Sequence, residues 1–265
     1  MSVENNQIAE LKSGMINRKF QEIDGKLIFI ENSERGRVND PLDRLKSQFK
    51  KFPNFYRFLI DIISPVLGKK GPIKRFRKLS TGVIINLGSG NSPRVAEVIN
   101  LDFFEYDNVD LVCDIHDLPF RDSSVDSIMS TAVLEHVKEP DKVIKEIYRV
   151  LKKGGLVYTS IPFMQPFHAS PDDYQRYTLP GIEYLHKDFE IIESGVLCGP
   201  VSGFLWVLQD FISLSLSFGN NNLRNLILIL TMCLTWPIKF LDLIFARLPT
   251  ATNIASSFYV IGRKK

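Results

Sequence analysis

The chain has 265 residues, 45% hydrophobic and 24% charged, with 33 basic against 30 acidic side chains for a formal charge of +3. That composition excludes a disordered chain, a fibre and a simple coiled coil, and the length allows one or two domains. Cys113, Cys198 and Cys233 are widely spaced and form no CxxC pair, so neither a disulfide framework nor a metal site is expected, and a reducing, intracellular compartment fits.

Residues 1–38 are polar, carry a weak strand signal at 26–30, and have no basic stretch leading into an apolar one, so no signal peptide is expected. Asp40-Pro41 is a helix start, with the acid as N-cap and proline in the first turn. A helical pattern follows to residue 63, and then a basic Gly/Pro-containing linker over 68–80. Residues 44–78 hold eleven basic side chains and a single acid, Asp61, so this segment is +10 and the rest of the chain −7. Interleaved aromatics leave three readings open: a nucleic-acid surface, a juxtamembrane polybasic segment, or a solvated helix face.

From residue 82 the pattern changes to short apolar runs separated by loops and helices, which reads as α/β with a parallel sheet. Candidate strands are 83–87, 98–101, 109–113, 125–130, 156–161, 189–194 and 257–262. A helix is expected over 141–151, its apolar positions at i, i+3/4 and i+7, with Lys152, Lys153 and Gly154 ending it. Thr178 is the expected N-cap of a later helix through Ile182 and Leu185.

The first strand runs into Asn86-Leu87-Gly88-Ser89-Gly90, where missing Cβ atoms let backbone approach a ligand. Pro93 stands where a dinucleotide site wants its third glycine, which disfavours hydride chemistry. Asp102 ends the second strand, where a carboxylate can accept ribose hydroxyls. Asp114-Ile115 follows the third strand, an acid that can accept from an adenine amino group beside an aliphatic cover. Leu134-Glu135-His136-Val137 follows the fourth. Singly, Asp102 and Asp114 read equally well as turn residues.

In this order and spacing the motifs resemble the class I S-adenosylmethionine-dependent methyltransferases, specifically the type 11 methyltransferase domain, over residues 82–194 plus the last strand. The resemblance implies a Rossmann-like sheet, mostly parallel with an antiparallel last strand, and S-adenosylmethionine as cofactor. It places Asn86, Gly88, Ser89, Gly90, Asp102, Asp114, Ile115 and Thr131 around the cofactor, and 134–137 beside the transferred methyl. Two departures stand out. Asn86 replaces the motif's leading acid, and Ser92 its third glycine. The first two crossovers, at about nine and six residues, are also too short for full helices, which need roughly a dozen residues. Residues 19–30 look like the end of a zinc-ribbon leader, but without its cysteines no metal is carried over.

The loop after the fifth strand, 162–178, packs His168, Asp172, Asp173, Tyr174, Arg176 and Tyr177 among prolines, at the strand end where α/β proteins place ligands. Methyl transfer from a sulfonium needs alignment and exclusion of water, and a hydroxyl acceptor also needs a base. His136 and His168 are candidate bases, Asp173 an orienting residue, and His168, Tyr174, Arg176 and Tyr177 candidate acceptor contacts. Either histidine reads equally well as a structural residue.

The last two strands are separated by about sixty residues. Residues 196–223 contain one charge, Asp210, and 226–238 contain none. Arg224, Thr231, Thr235 and Asp242 fall on one narrow stripe of an otherwise apolar helix. An interfacial hairpin, a membrane-crossing hairpin and a buried cap or dimer interface compete here. The expected organisation is a leader (1–38), a basic helical segment and linker (39–80), a methyltransferase domain (81–195), an apolar helical insertion (196–255) and the returning strand (256–265). The expected function is a membrane-associated methyltransferase on the cytoplasmic side. It would act on a methyl acceptor, a saccharide or lipid-linked saccharide, at an anionic membrane surface. A quinone or other lipid acceptor and a catalytically silent membrane-binding module are the alternatives. Nucleic acid is disfavoured, because the apolar insertion has no job there.

Overall fold

The computed structural model describes residues 11–30, 62–90, 94–95, 97–167 and 172–265. His168, Ser92 and Pro93 lie outside these residues, as does the helix expected over 40–63 apart from its end.

Among the described residues nine strands form one sheet: β1 (Gln21–Ile23), β2 (Lys26–Ile28), β3 (Ile84–Leu87), β4 (Val98–Asp102), β5 (Leu111–Val112), β6 (Val125–Thr131), β7 (Leu151–Pro162), β8 (Phe189–Cys198) and β9 (Ser257–Lys264). Their order is β1-β2-β5-β4-β3-β6-β7-β9-β8. Strands β2 to β7 pair in parallel, whereas β9 runs antiparallel between β7 and β8. This is the mixed α/β sheet expected. Central strands β3 and β6 are buried nearly throughout, as parallel strands covered on both faces must be. Among the described residues no helix joins β3 to β4, β4 to β5 or β5 to β6. The early crossovers are therefore abbreviated.

Three expectations need correction. The leader is part of the main sheet: β2 pairs with β5, and Leu11, Met15 and Leu27 enter the main core. Period-2 patterning is too weak in three-residue strands to announce this. The expected linker over 68–80 contains a helix, α1 (Gly71–Leu79). Its Gly-Pro start suggested a turn, but proline is tolerated in a first helical turn. Pro72 and Phe76, at i and i+4, are the buried residues. Finally, Lys152, Lys153 and Gly154 do not end α2 (Pro140–Val150), because β7 begins directly at Leu151.

Helix α1 covers the face left thin by the missing crossovers. The Phe76 ring lies 5.7 Å from Tyr158, which stacks on Tyr259 at 6.3 Å. Full burial of a phenyl ring contributes about 2–3 kcal/mol. The opposite face holds the larger core, with Val143, Ile144 and Ile147 of α2 and Ile182 of α3 (Leu179–Leu185). Thr178 caps α3 as expected, accepting from the Gly181 amide at 3.2 Å.

The apolar insertion is a helical hairpin. Its first arm is α4 (Pro200–Ser217). The second is α5 (Asn221–Thr235), a 3-10 segment (Trp236–Leu241) and α6 (Asp242–Phe245). Asn220 caps α5 through the amides of Asn222 and Leu223. The polar stripe turns inward: Arg224 pairs with Asp210 at 2.6 Å, and Gln209 donates to Thr235 at 2.6 Å. Asp242 accepts from the Val201 and Ser202 amides and the Ser202 hydroxyl, which satisfies the start of α4. Lys239, also buried, donates to the carbonyls of Ile62 and Ser64.

Candidate active site

The ends of β3, β4, β5, β6 and β7 all lie along one edge of the sheet, because these strands are parallel. Open α/β sheets place their ligands in the crevice outside the carboxyl ends of the strands. The sequence-derived candidates among the described residues gather there.

After β3 the backbone turns through Gly88 (φ +60°) and Gly90 (φ +54°), a left-handed region that a side chain strains. A Cβ on Gly88 would sit 2.5 Å from Val133, whereas one on Gly90 would meet nothing within 4 Å. Gly88 is therefore fixed by packing, and Gly90 borders open space. A chain of side chains supports the turn. Asn86 donates to Asn100 (3.0 Å), and Asn100 donates to the Asn108 carbonyl (3.0 Å). Asn108 in turn donates to the Gly90 carbonyl (3.0 Å). Asp102 accepts the Gly90 amide at 2.7 Å and the Phe104 amide at 2.9 Å. Burial raises the Asp102 carboxyl above its ordinary range, while these amides oppose the rise. Ser89, itself buried, donates its amide to the Leu101 carbonyl. Asn86 is thus committed to a neighbouring strand.

After β5, Asp114 accepts from both the His116 amide and the His116 ring, and Ile115 beside it is buried. After β6, Thr131 is exposed, Ala132 takes a left-handed φ of +53°, and a 3-10 turn (Leu134–His136) follows. The described part of the loop after β7 is stapled to that turn. The Tyr174 amide donates to the Glu135 carbonyl (2.8 Å), and Gln175 donates to the carbonyls of Leu134 and Val137. His136 Nδ1 donates to the Asp172 carbonyl (2.5 Å), and its Nε2 lies 3.7 Å from Glu135. Arg176 pairs with Asp173, Tyr174 donates to Asp172 and Tyr177 to Gln175. The structure therefore brings His136, Asp173, Tyr174, Arg176 and Tyr177 onto one loop-and-turn assembly.

Glu135, in the sequence only one member of the 134–137 segment, is prominent here. It is fully buried, and among the described residues no side-chain partner lies within hydrogen-bond distance of its carboxylate oxygens. Burial pushes its carboxyl up to about 7, with its own amide and Arg176 opposing and Asp173 adding to the rise. The available signal was an acid next to Leu134 just beyond a strand end.

Residues 88–159 match the family model described as "Methyltransferase domain". Over this stretch the chain is similar to that family. The match begins at the glycine turn and runs through Asp102, Asp114 and the Glu135 turn into β7. Among curated proteins, the ubiquinone/menaquinone biosynthesis C-methyltransferase UbiE of Escherichia coli is 37% identical over 68 residues. That alignment spans 24% of this chain and 27% of that protein. The chain thus matches about a quarter of the length of such relatives. Among solved structures, the phosphoethanolamine N-methyltransferase 2 of Haemonchus contortus with S-adenosyl-L-methionine is 18% identical. It covers 73% of this chain and 51% of that one, with a TM-score of 0.45. A putative sarcosine dimethylglycine methyltransferase of Galdieria sulphuraria is 14% identical, covering 79% and 97%, with a TM-score of 0.48.

The glycine turn fits S-adenosylmethionine. Gly90 borders open space, where a Cβ would meet nothing within 4 Å, and both Asp102 oxygens keep acceptor capacity beyond their amide bonds. The residues that would hold it are the Gly88–Gly90 turn, Asp102, and Asp114 with Ile115.

Proposed function

We propose that this protein is an S-adenosylmethionine-dependent methyltransferase working at the cytoplasmic face of a membrane on a lipid-borne acceptor, a lipid-linked saccharide first, by O-methylation. The observation that carries the methyltransferase reading is the Asp102–Gly90 bond. It joins the end of β4 to the glycine turn inside the segment matched by the family model. The cofactor supplies an activated methyl group. The chain's residues bind it, align the acceptor and exclude water. Calorimetric titration of S-adenosylmethionine into the protein tests this, with Asp102→Ala as control. Binding lost in the variant is expected, and no binding by folded wild-type protein sinks the reading.

The membrane part rests on the hairpin, whose polarity is inverted. Gln209, Ser213 and Asp242 are buried, while Phe211, Leu214 and Leu234 (79% exposed) face outward. An apolar surface of this extent marks an interaction site. The continuous helical run Asn221–Phe245 is, by length and composition, apolar enough to cross a membrane. The hairpin also roots at the candidate active-site edge. Gly203 of α4 packs against Met164, and Gln165 donates to Ser256. A bilayer bound there lies beside the loop proposed to hold the acceptor. Lys69 and Lys70 precede α1 at this edge, where residue 68 bridges to Cys198, and cations favour an anionic leaflet.

A quinone-type acceptor is the second reading, favoured by the name of the Escherichia coli relative over its 68 matched residues. Assay of membrane lipid extracts with labelled S-adenosylmethionine separates the two. Label in a saccharide-bearing lipid supports the first reading, and label in a quinone supports the second.

A further inference from the structure

The hairpin's exposed side chains are sorted along its length. Between residues 200 and 246 the exposed polar ones are Ser215, Asn220, Asn221, Asn222 and Asn225, all at or beside the turn that joins the two arms. Below that tip every exposed side chain is apolar, from Phe204 to Leu214 on α4 and from Leu226 to Phe245 on the second arm. The charged residues of the hairpin are all engaged. Asp210 pairs with Arg224, Lys239 with the Ile62 and Ser64 carbonyls, and Asp242 with the start of α4. At the root stand the exposed cations Lys69, Lys70 and Arg247, and Lys69 donates to the Ala246 carbonyl at 3.1 Å. A polar tip, an apolar belt and a cationic root follow one another. A helix lying flat in the interface keeps a polar face toward water, and neither arm has one along the belt. A second copy of the chain packed on one side would leave the other sides of the belt in water.

We infer that the hairpin crosses the bilayer tip-first, with its Asn-rich turn at the headgroups of the far leaflet and its cationic root at the near, anionic one. The inference rests on the membrane reading above and adds to it a depth and a direction. The length fits. The 18 residues of α4 rise about 27 Å, close to the ~30 Å of a hydrocarbon core. Among the described helices only Asn221–Phe245 is apolar enough to cross by itself. Helix α4 crosses as its partner, because its polar side chains Ser202, Gln209, Ser213 and Ser217 are buried rather than presented to lipid. The cations set the direction, since segments rich in Lys and Arg stay on the cytoplasmic side. Both arms root at one edge of the sheet, between the end of β8 and the start of β9, so the sheet stays whole on that side. An acceptor then has to present its reactive group at the depth of the near headgroups.

Thiol labelling reads this depth directly, because Cys113 and Cys198 are buried whereas Cys233, within the belt, is exposed. The full chain is expressed in a bacterial host, and a membrane-impermeant maleimide is applied to intact spheroplasts and to inverted membrane vesicles. Wild-type Cys233 should label in neither preparation, and that protection should be lost when detergent is added. In a Cys233→Ser background, Asn221→Cys at the tip should label in spheroplasts and not in inverted vesicles. Thr250→Cys, exposed at the root, should do the reverse. Both substitutions fall on exposed positions, so neither disturbs the core. Labelling of Asn221→Cys in inverted vesicles, or in neither preparation, with the chain in the membrane fraction overturns the crossing and leaves the membrane reading intact. A wild-type chain that stays in the soluble fraction after lysis overturns both, and a dimer there would assign the belt to a second copy.

Discussion

The Asp102 carboxylate accepts the Gly90 amide at 2.7 Å, so the end of β4 and the turn after β3 form one rigid unit. Asn108 holds the Gly90 carbonyl from the other side. The turn is thus pre-shaped by side chains of the neighbouring strand and loop before any ligand arrives, which lowers the ordering cost of binding.

Gly88→Ala should be severe. The new methyl would strike Val133 in a backbone conformation that already disfavours a side chain. A loss of about 2–3 kcal/mol in urea unfolding is expected. Val133→Ala in the same chain should recover part of it, whereas an additive double mutant would show that the clash is not the cause. Gly90→Ala, with open space around it, should cost only about 1 kcal/mol.

Gln175 ties the acceptor loop to the Glu135 turn through two backbone carbonyls. Gln175→Ala removes both bonds from a half-buried site, at about 1–2 kcal/mol of local stability. Hydrogen exchange at residues 172–178 should accelerate, with β3 and β6 unchanged. Unaltered exchange there would show that the loop is held by its other contacts.

Replacing Phe211, Leu214 and Leu234 together with Ser should leave the fold intact, because these side chains face outward. Flotation with anionic vesicles should be lost. Asp242→Ala acts on the other side of the same hairpin. It strips three hydrogen bonds from the start of α4 and should lower stability by about 1–3 kcal/mol. Retained flotation of the triple variant would exclude this face as the lipid contact.

His186 is fully buried. Its Nδ1 donates to the Ile182 carbonyl at 2.8 Å, and its Nε2 accepts from Thr159 at 2.9 Å. Burial lowers its pKa to about 4. The unfolded chain therefore binds more protons between pH 6.5 and 4, so stability falls as pH drops through that window. The loss approaches about 3 kcal/mol at its lower end. A urea midpoint that falls from pH 6.5 to pH 4.5 in wild type should fall less in His186→Gln. Equal slopes would assign the acid sensitivity to other groups.

The sequence alone was enough to place the seven main strands to within a few residues. It also sufficed for the glycine turn and the polar stripe of the hairpin's second arm, since each is written in local periodicity or in residues of special backbone freedom, whereas the antiparallel last strand was implied by the family resemblance. The loop after β7 was likewise legible as a concentration of polar and aromatic residues at a strand end. Tertiary structure decided the rest. Strands β1 and β2 join the sheet only through β5, a pairing across more than eighty residues that no local pattern announces. Helix α1 has its place because Phe76 finds Tyr158, which its Gly-Pro start obscured. Glu135 looks like an ordinary charged residue in the sequence. Whether a carboxylate is solvated or stranded depends on what packs over it, and here that cover is the Asp172–Gln175 stretch, nearly forty residues further along the chain.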